Sequence, residues 1–144
     1  MNLIVDANVI IAAMVRDSAV RRLMLTLPFK FYCPDFAFEE INKHLSLISR
    51  KNSLSIEENK RFLKTLSKYM KTVEYELYRR KLPEAEEIIG GIDEGDVPYI
   101  ALALSLNNDG IWTEDRHFSR QNKIKIWSTE DLLNRFGRLL FLPR

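Results

Sequence analysis

Cysteine is all but missing from this chain. Cys33 stands alone, so no internal disulfide can form, and one cysteine with two histidines cannot complete a structural zinc site. A reducing, cytoplasmic setting is expected. Net charge is also nearly absent, because 22 Lys and Arg against 20 Asp and Glu leave only +2. No bulk field marks a nucleic-acid binder, and any such binding must use a local patch. The chain also lacks an apolar run of about 20 residues, the length a membrane span needs. Its apolar start is broken by Asp6 and Asn8 and carries no basic leader, so neither a span nor a signal peptide is expected. Repeats, low-complexity stretches and long linkers are missing as well. What is there is 144 residues with 46% hydrophobic content, enough for a single domain over 1–144 with a substantial core.

Short β-rich runs alternate with longer helical patterns. NLIV at 2–5, FKFYC at 29–33, VEYEL at 73–77, GIWT at 110–113 and IKIW at 124–127 read as strands. The helices between them predict a parallel sheet covered on both faces. Pro34 suits a helix start, and SIEE at 55–58 and STED at 128–131 have capping-box spacing. A helix over 55–71 would carry Lys60, Lys64, Lys68 and Lys71 on one side, opposite Ile56, Phe62, Leu63, Leu66 and Met70. Such a stripe is ordinarily a solvated face, although it has the charge to hold phosphates.

Acids sit at strand ends, where open α/β sheets bind their ligands. Asp6 interrupts LIVDANVII at the end of the first strand, and a carboxylate taken from water needs a partner. It either caps the next helix or belongs to a site. Asp115, in GIWTEDRHF, shares by period two the side of Ile111 and Thr113, whereas Glu114 alternates to the other. Pro98 cannot lie deep in a helix, so in IDEGDVPYIALALSL the helix begins no earlier than about Gly95, which leaves Asp96 in the cap or first turn. Capping by Asp93 or Asp96 is as good an account of these acids as chemistry is. In FEEINKHL, Glu39 points away from the apolar stripe and Glu40 sits at its border, so Glu40 can look into a cleft. His44 reads as a half-buried structural histidine and His117 as a surface residue.

LIVDANVII, FEEINKHL, DEGDVPYIALAL and IWTEDRHF, in that order and at about that spacing, resemble the successive acidic motifs of the PIN domain, the nuclease fold of VapC-type toxins and of many stand-alone archaeal proteins. The resemblance runs from the first strand to about residue 127. It implies a three-layer α/β/α fold with a central parallel sheet of about five strands. Asp6, Glu40, Asp96 and Asp115 would be the metal-binding and catalytic acids, with Asn8, Thr113 and Asp93 in support. It also implies an endoribonuclease that leaves 5′-phosphate and 3′-hydroxyl ends, with an antitoxin as partner if the protein is the toxin of a pair, and homodimer formation. Residues 51–72 and 78–91 are helical segments that vary in such proteins, and the tail FGRLLFLPR matches no motif.

Crowded carboxylates must share protons or bind a cation, and oxygen donors point to Mg²⁺ or Mn²⁺. Arg16, Arg21 and Arg22 follow shortly after the Asp6 strand and are the candidates for holding RNA. Two other classes compete with the nuclease. A PIN-like scaffold could bind RNA or protein without cutting. A phosphoaspartate phosphatase would use Asp6 of DANVI as nucleophile, but Asn8 stands where its acid/base aspartate should be.

Overall fold

Leu3 and Val5 face one side of the first strand and Ile4 the other, and none of the three is exposed. A strand buried on both faces belongs in the middle of a sheet covered by helices on each side. The computed structural model describes residues 1–92 and 94–141. Among these, β1 (Asn2–Val5), β2 (Lys30–Pro34), β3 (Met70–Val73), β4 (Ile111–Trp112) and β5 (Ile126–Trp127) form one all-parallel sheet in the order β3-β2-β1-β4-β5.

Helices α1 (Ala7–Val15), α2 (Ala19–Thr26), α3 (Phe36–Lys43), α4 (Leu45–Asn52), α5 (Ile56–Ser67) and α9 (Thr129–Phe136) surround the cluster that includes Leu3, Val5, Phe31 and Trp112. On the opposite face α6 (Tyr75–Tyr78), α7 (Leu82–Ala85) and α8 (Val97–Ser105) enclose Ile4, Ile111 and Phe118. The fold is three-layered, α/β/α. Gly110, at φ +130°, enters β4 where a Cβ would run into the Lys125 carbonyl of the neighbouring strand, so a side chain is excluded twice over. No helix among the described residues is long and apolar enough to cross a membrane.

Both capping boxes form: Ser55 with Glu58 opens α5, and Ser128 with Asp131 opens α9. Three local expectations need correction. The third strand is Met70–Val73, not 73–77; beyond it residues 74–77 are all exposed and only Tyr78, 2% exposed, turns inward, so the burial does not alternate as a strand's would and Tyr75–Tyr78 is a helical turn. Consequently α5 stops at Ser67, and Lys71 lies on β3, so the four lysines do not share one helix face. Pro34 ends β2 instead of starting a helix, and Asp35 caps α3 by accepting from Phe36 N at 2.9 Å. In the tail, Leu139 and Leu140 pack against the core and Phe141 is 83% exposed, while Leu142 lies outside the described residues.

A polar knot ties α1 to the α4–α5 hairpin. Asn59 is fully buried, donates to Asn52 Oδ1 (3.2 Å) and the Ser55 carbonyl (3.1 Å), and accepts from Asn52 Nδ2 at 2.7 Å. Asn52 Nδ2 also donates to the Met14 carbonyl at the end of α1 (3.0 Å). Because buried amides are costly once a partner is lost, Asn59→Ala is expected to lower unfolding stability by about 2–3 kcal/mol, and Asn59→Asp by more, since it buries a charge. Urea denaturation measures both; an unchanged midpoint in the alanine variant would mean that the knot contributes nothing.

Candidate active site

From β1 the chain steps outward through β2 to β3, then returns to add β4 and β5 on the other side of β1. The reversal makes the carboxyl ends of β1 and β4 a topological switch point, where a crevice opens. Asp6 follows β1 directly, and its backbone N donates to the Trp112 carbonyl of β4 at 3.1 Å. Its side chain is divided between two tasks. Oδ1 caps α1 by accepting from Asn8 N at 3.2 Å, and Oδ2 accepts from Thr113 Oγ1 at 2.8 Å. Thr113 in turn accepts from Asp115 N at 3.0 Å. With Asp6 6% and Thr113 2% exposed, this chain of bonds holds the ends of both strands together. Capping and a place in a site are therefore not alternatives for Asp6.

Asp96 closes the 3-10 turn Glu94–Asp96 and stands at the N-cap position of α8, just ahead of Pro98. It makes no capping hydrogen bond to that helix, so the capping account does not explain it. Asp96 is 7% exposed and has interactions of its own, yet its Oδ2 is enclosed and accepts no hydrogen bond. Asp115 opens the 3-10 turn Arg116–Arg120, its Oδ1 accepting from His117 N at 2.9 Å and lying 3.3 Å from His117 Nδ1. Glu40, on α3, pairs with Lys43 at 3.2 Å and remains half-buried.

Asp6, Glu40, Asp96 and Asp115 all line one cleft of about 480 Å³, with Asn8 and His44 beside them and Ile11, Phe36, Pro98 and Tyr99 as apolar walls. His44 is exposed there, not half-buried. Asp93 lies outside the described residues.

The three arginines correct the expectation of proximity, since none of them lines this cleft. Helix α1 carries the chain about 13 Å away from Asp6 before Arg16 is reached. Arg21 donates to the Ala13 and Met14 carbonyls at 2.7 and 3.3 Å and lies over the Phe62 ring, so it fastens the end of α1. Arg22 lies 3.8 Å from Asp17 and faces a larger hollow of about 610 Å³, bordered by Leu133, Arg135, Arg138 and Phe141.

Two residues of the site were not singled out by the sequence reading. The Tyr99 hydroxyl accepts from Ala7 N at 3.1 Å, bracing the start of α1 from α8. Burial, and after it the Asp6 charge, push its phenol well above the ordinary value, so it stays neutral. Its spacing of three from Asp96, one helical face, was the available signal. His117 is the second: a ring nitrogen of His117 and one carboxylate oxygen each from Asp96 and Asp115 lie within 4.8 Å of one another. The two-residue step in Asp-Arg-His, able to fold back as an Asx turn, was the hint. The donor set of carboxylates with one imidazole fits a divalent cation. Cys33 offers no thiolate, since burial and then Asp35 push its thiol up to about 12.

A family model for the PIN domain matches residues 4–136. Among solved structures, the crystal structure of PAE2754 from Pyrobaculum aerophilum matches with a TM-score of 0.63 and 20% identity, over 96% of this chain and 90% of that one. At that identity the likeness speaks for the fold alone. No curated protein matches.

Carboxylates this close repel one another in metal-free protein. Asp96→Asn is therefore expected to raise the metal-free melting temperature, by the equivalent of about 1 kcal/mol, and to diminish the further rise on adding Mn²⁺. Calorimetry with and without Mn²⁺ reads both; a clear fall without metal would mean that the Asp96 charge matters more to the dipole of α8 than to its acidic neighbours.

Proposed function

The chain belongs to the PIN-domain family, whose members are generally metal-dependent nucleases, and from that premise we propose that it is an endoribonuclease using Mg²⁺ or Mn²⁺ to hydrolyse RNA phosphodiester bonds. One observation carries the reading: Asp6, Glu40, Asp96 and Asp115, from four separate segments, line a single cleft at the carboxyl ends of β1 and β4.

On this reading Asp6, Asp96 and Asp115 hold the cation, and Glu40, the more exposed acid, binds a second ion or orients the attacking water. A bound divalent ion supplies Lewis-acid activation of water and stabilises the charge on the leaving oxygen. Thr113 keeps the Asp6 carboxylate in one orientation through the 2.8 Å hydrogen bond, and Asn8 fixes its other oxygen through the backbone N. Tyr99 serves as a neutral wall and holds the turn between Asp6 and α1. Cleavage by in-line water attack would leave 5′-phosphate and 3′-hydroxyl ends.

The partners on this reading are an RNA substrate, an antitoxin protein where the enzyme is the toxin of a pair, and a second copy of the chain. The setting proposed is the cytoplasm, consistent with a single buried cysteine. The competing reading is a PIN-like scaffold that binds RNA without cutting it. A phosphoaspartate route fits less well, because Asn8 stands where its acid/base aspartate would be.

With a mixed RNA pool and Mn²⁺, wild type is expected to cut, and Asp6→Asn to lose about 100-fold or more of the rate. Polynucleotide kinase should label the products only after phosphatase treatment. Equal cutting by both proteins would remove Asp6 from the mechanism, and metal-independent binding without cleavage by wild type would favour the scaffold.

A further inference from the structure

Resting on the nuclease reading, we propose that His117 is a nitrogen ligand of the cation held by Asp96 and Asp115, and that it turns this site toward a transition-metal ion such as Mn²⁺ and away from Mg²⁺. The four acids alone make an oxygen-only site, which suits either ion. His117 changes the donor set, because one of its ring nitrogens lies within 4.8 Å of an oxygen from each of the two aspartates. With bonds of about 2.1 Å, opposite donors stand about 4.2 Å apart and adjacent ones about 3 Å, so modest side-chain rotations would bring the three groups onto one ion.

The turn that carries the imidazole is also set before any ion arrives. Asp115 Oδ1 accepts from His117 N at 2.9 Å, which folds the 3-10 turn back over the carboxylate. The next residue, Phe118, is fully buried and packs edge-on to Tyr99, with ring centroids 6.3 Å apart, so the turn is anchored in the core. The His117 side chain keeps 42% exposure, and that open side gives a cation access. Imidazole suits Mn²⁺ and the later first-row ions better than Mg²⁺, which prefers oxygen and keeps its water. The nitrogen therefore works through metal choice. A ring that merely hydrogen-bonds Asp115 would leave that choice unchanged.

The test uses the full chain with Mn²⁺ or Mg²⁺ alone. Pulsed electron paramagnetic resonance of bound Mn²⁺ is expected to show nitrogen hyperfine coupling in wild type and none in His117→Ala, while circular dichroism shows both folded. Calorimetric titration is expected to show the preference for Mn²⁺ over Mg²⁺ falling about tenfold in His117→Ala and reversing further toward Mg²⁺ in His117→Asp, which supplies an oxygen donor instead. Absence of nitrogen coupling in wild type, or an unchanged ion preference in both variants, would overturn the proposal. Metal-dependent RNA cutting without nitrogen coupling sinks the His117 proposal alone, whereas nitrogen-coupled Mn²⁺ without RNA cutting sinks the nuclease reading and leaves the ligand assignment standing.

Discussion

The Asp6 carboxylate is the hinge on which the cleft is built. One oxygen caps α1 and the other takes the hydroxyl of Thr113, which also receives the backbone N–H of Asp115. Three residues from the ends of two adjacent strands are thereby set relative to each other by hydrogen bonds of 3.2 Å or less. Hydrogen bonds to a carboxylate are the stronger kind, and in a nearly enclosed position they are not diluted by water. A carboxylate that seems out of place in an apolar strand is thus the joint between the sheet and the first helix.

That joint requires the strand order. Because β2 and β3 lie on one side of β1 and β4 and β5 on the other, β1 and β4 become neighbours although more than 100 residues separate Asp6 from Thr113. The register Val5 opposite Trp112 then brings the next residues, Asp6 and Thr113, level. Helix α8 packs under the same pair of strands through Ile100, Ala101 and Leu102, and its N-terminal end carries Asp96 into the crevice. Apolar packing on both faces supplies the rigidity that holds like charges near one another, at a cost in stability that a resident cation would offset.

Much of this was legible from residue order. Four of the five strands, both capping boxes, the two-faced burial of β1 and the early turn that Pro98 imposes on Asp96 follow from local pattern. Patterns failed where two periods compete over a few residues. VEYEL alternates like a strand, yet Tyr78 just beyond it has a better place in the core, and a helical turn is what delivers it there. Proximity along the chain misled in a different way. Arg16, Arg21 and Arg22 are near Asp6 in number, but helix α1 lies between, and Arg21 ends up bonded to carbonyls of that helix's last turn.

By itself, then, the sequence determined the parallel α/β architecture, the family resemblance and which acids stand at strand or helix ends, because periodicity and caps are local properties of the chain. Only the tertiary structure decided that those ends meet in one cleft, that Tyr99 braces α1, that His117 stands beside Asp96 and Asp115, and that the three arginines do not border the cleft. The physical reason is that such contacts depend on strand order and on the direction in which each helix leaves the sheet, and both are settled by how the two apolar clusters pack rather than by any short stretch of residues.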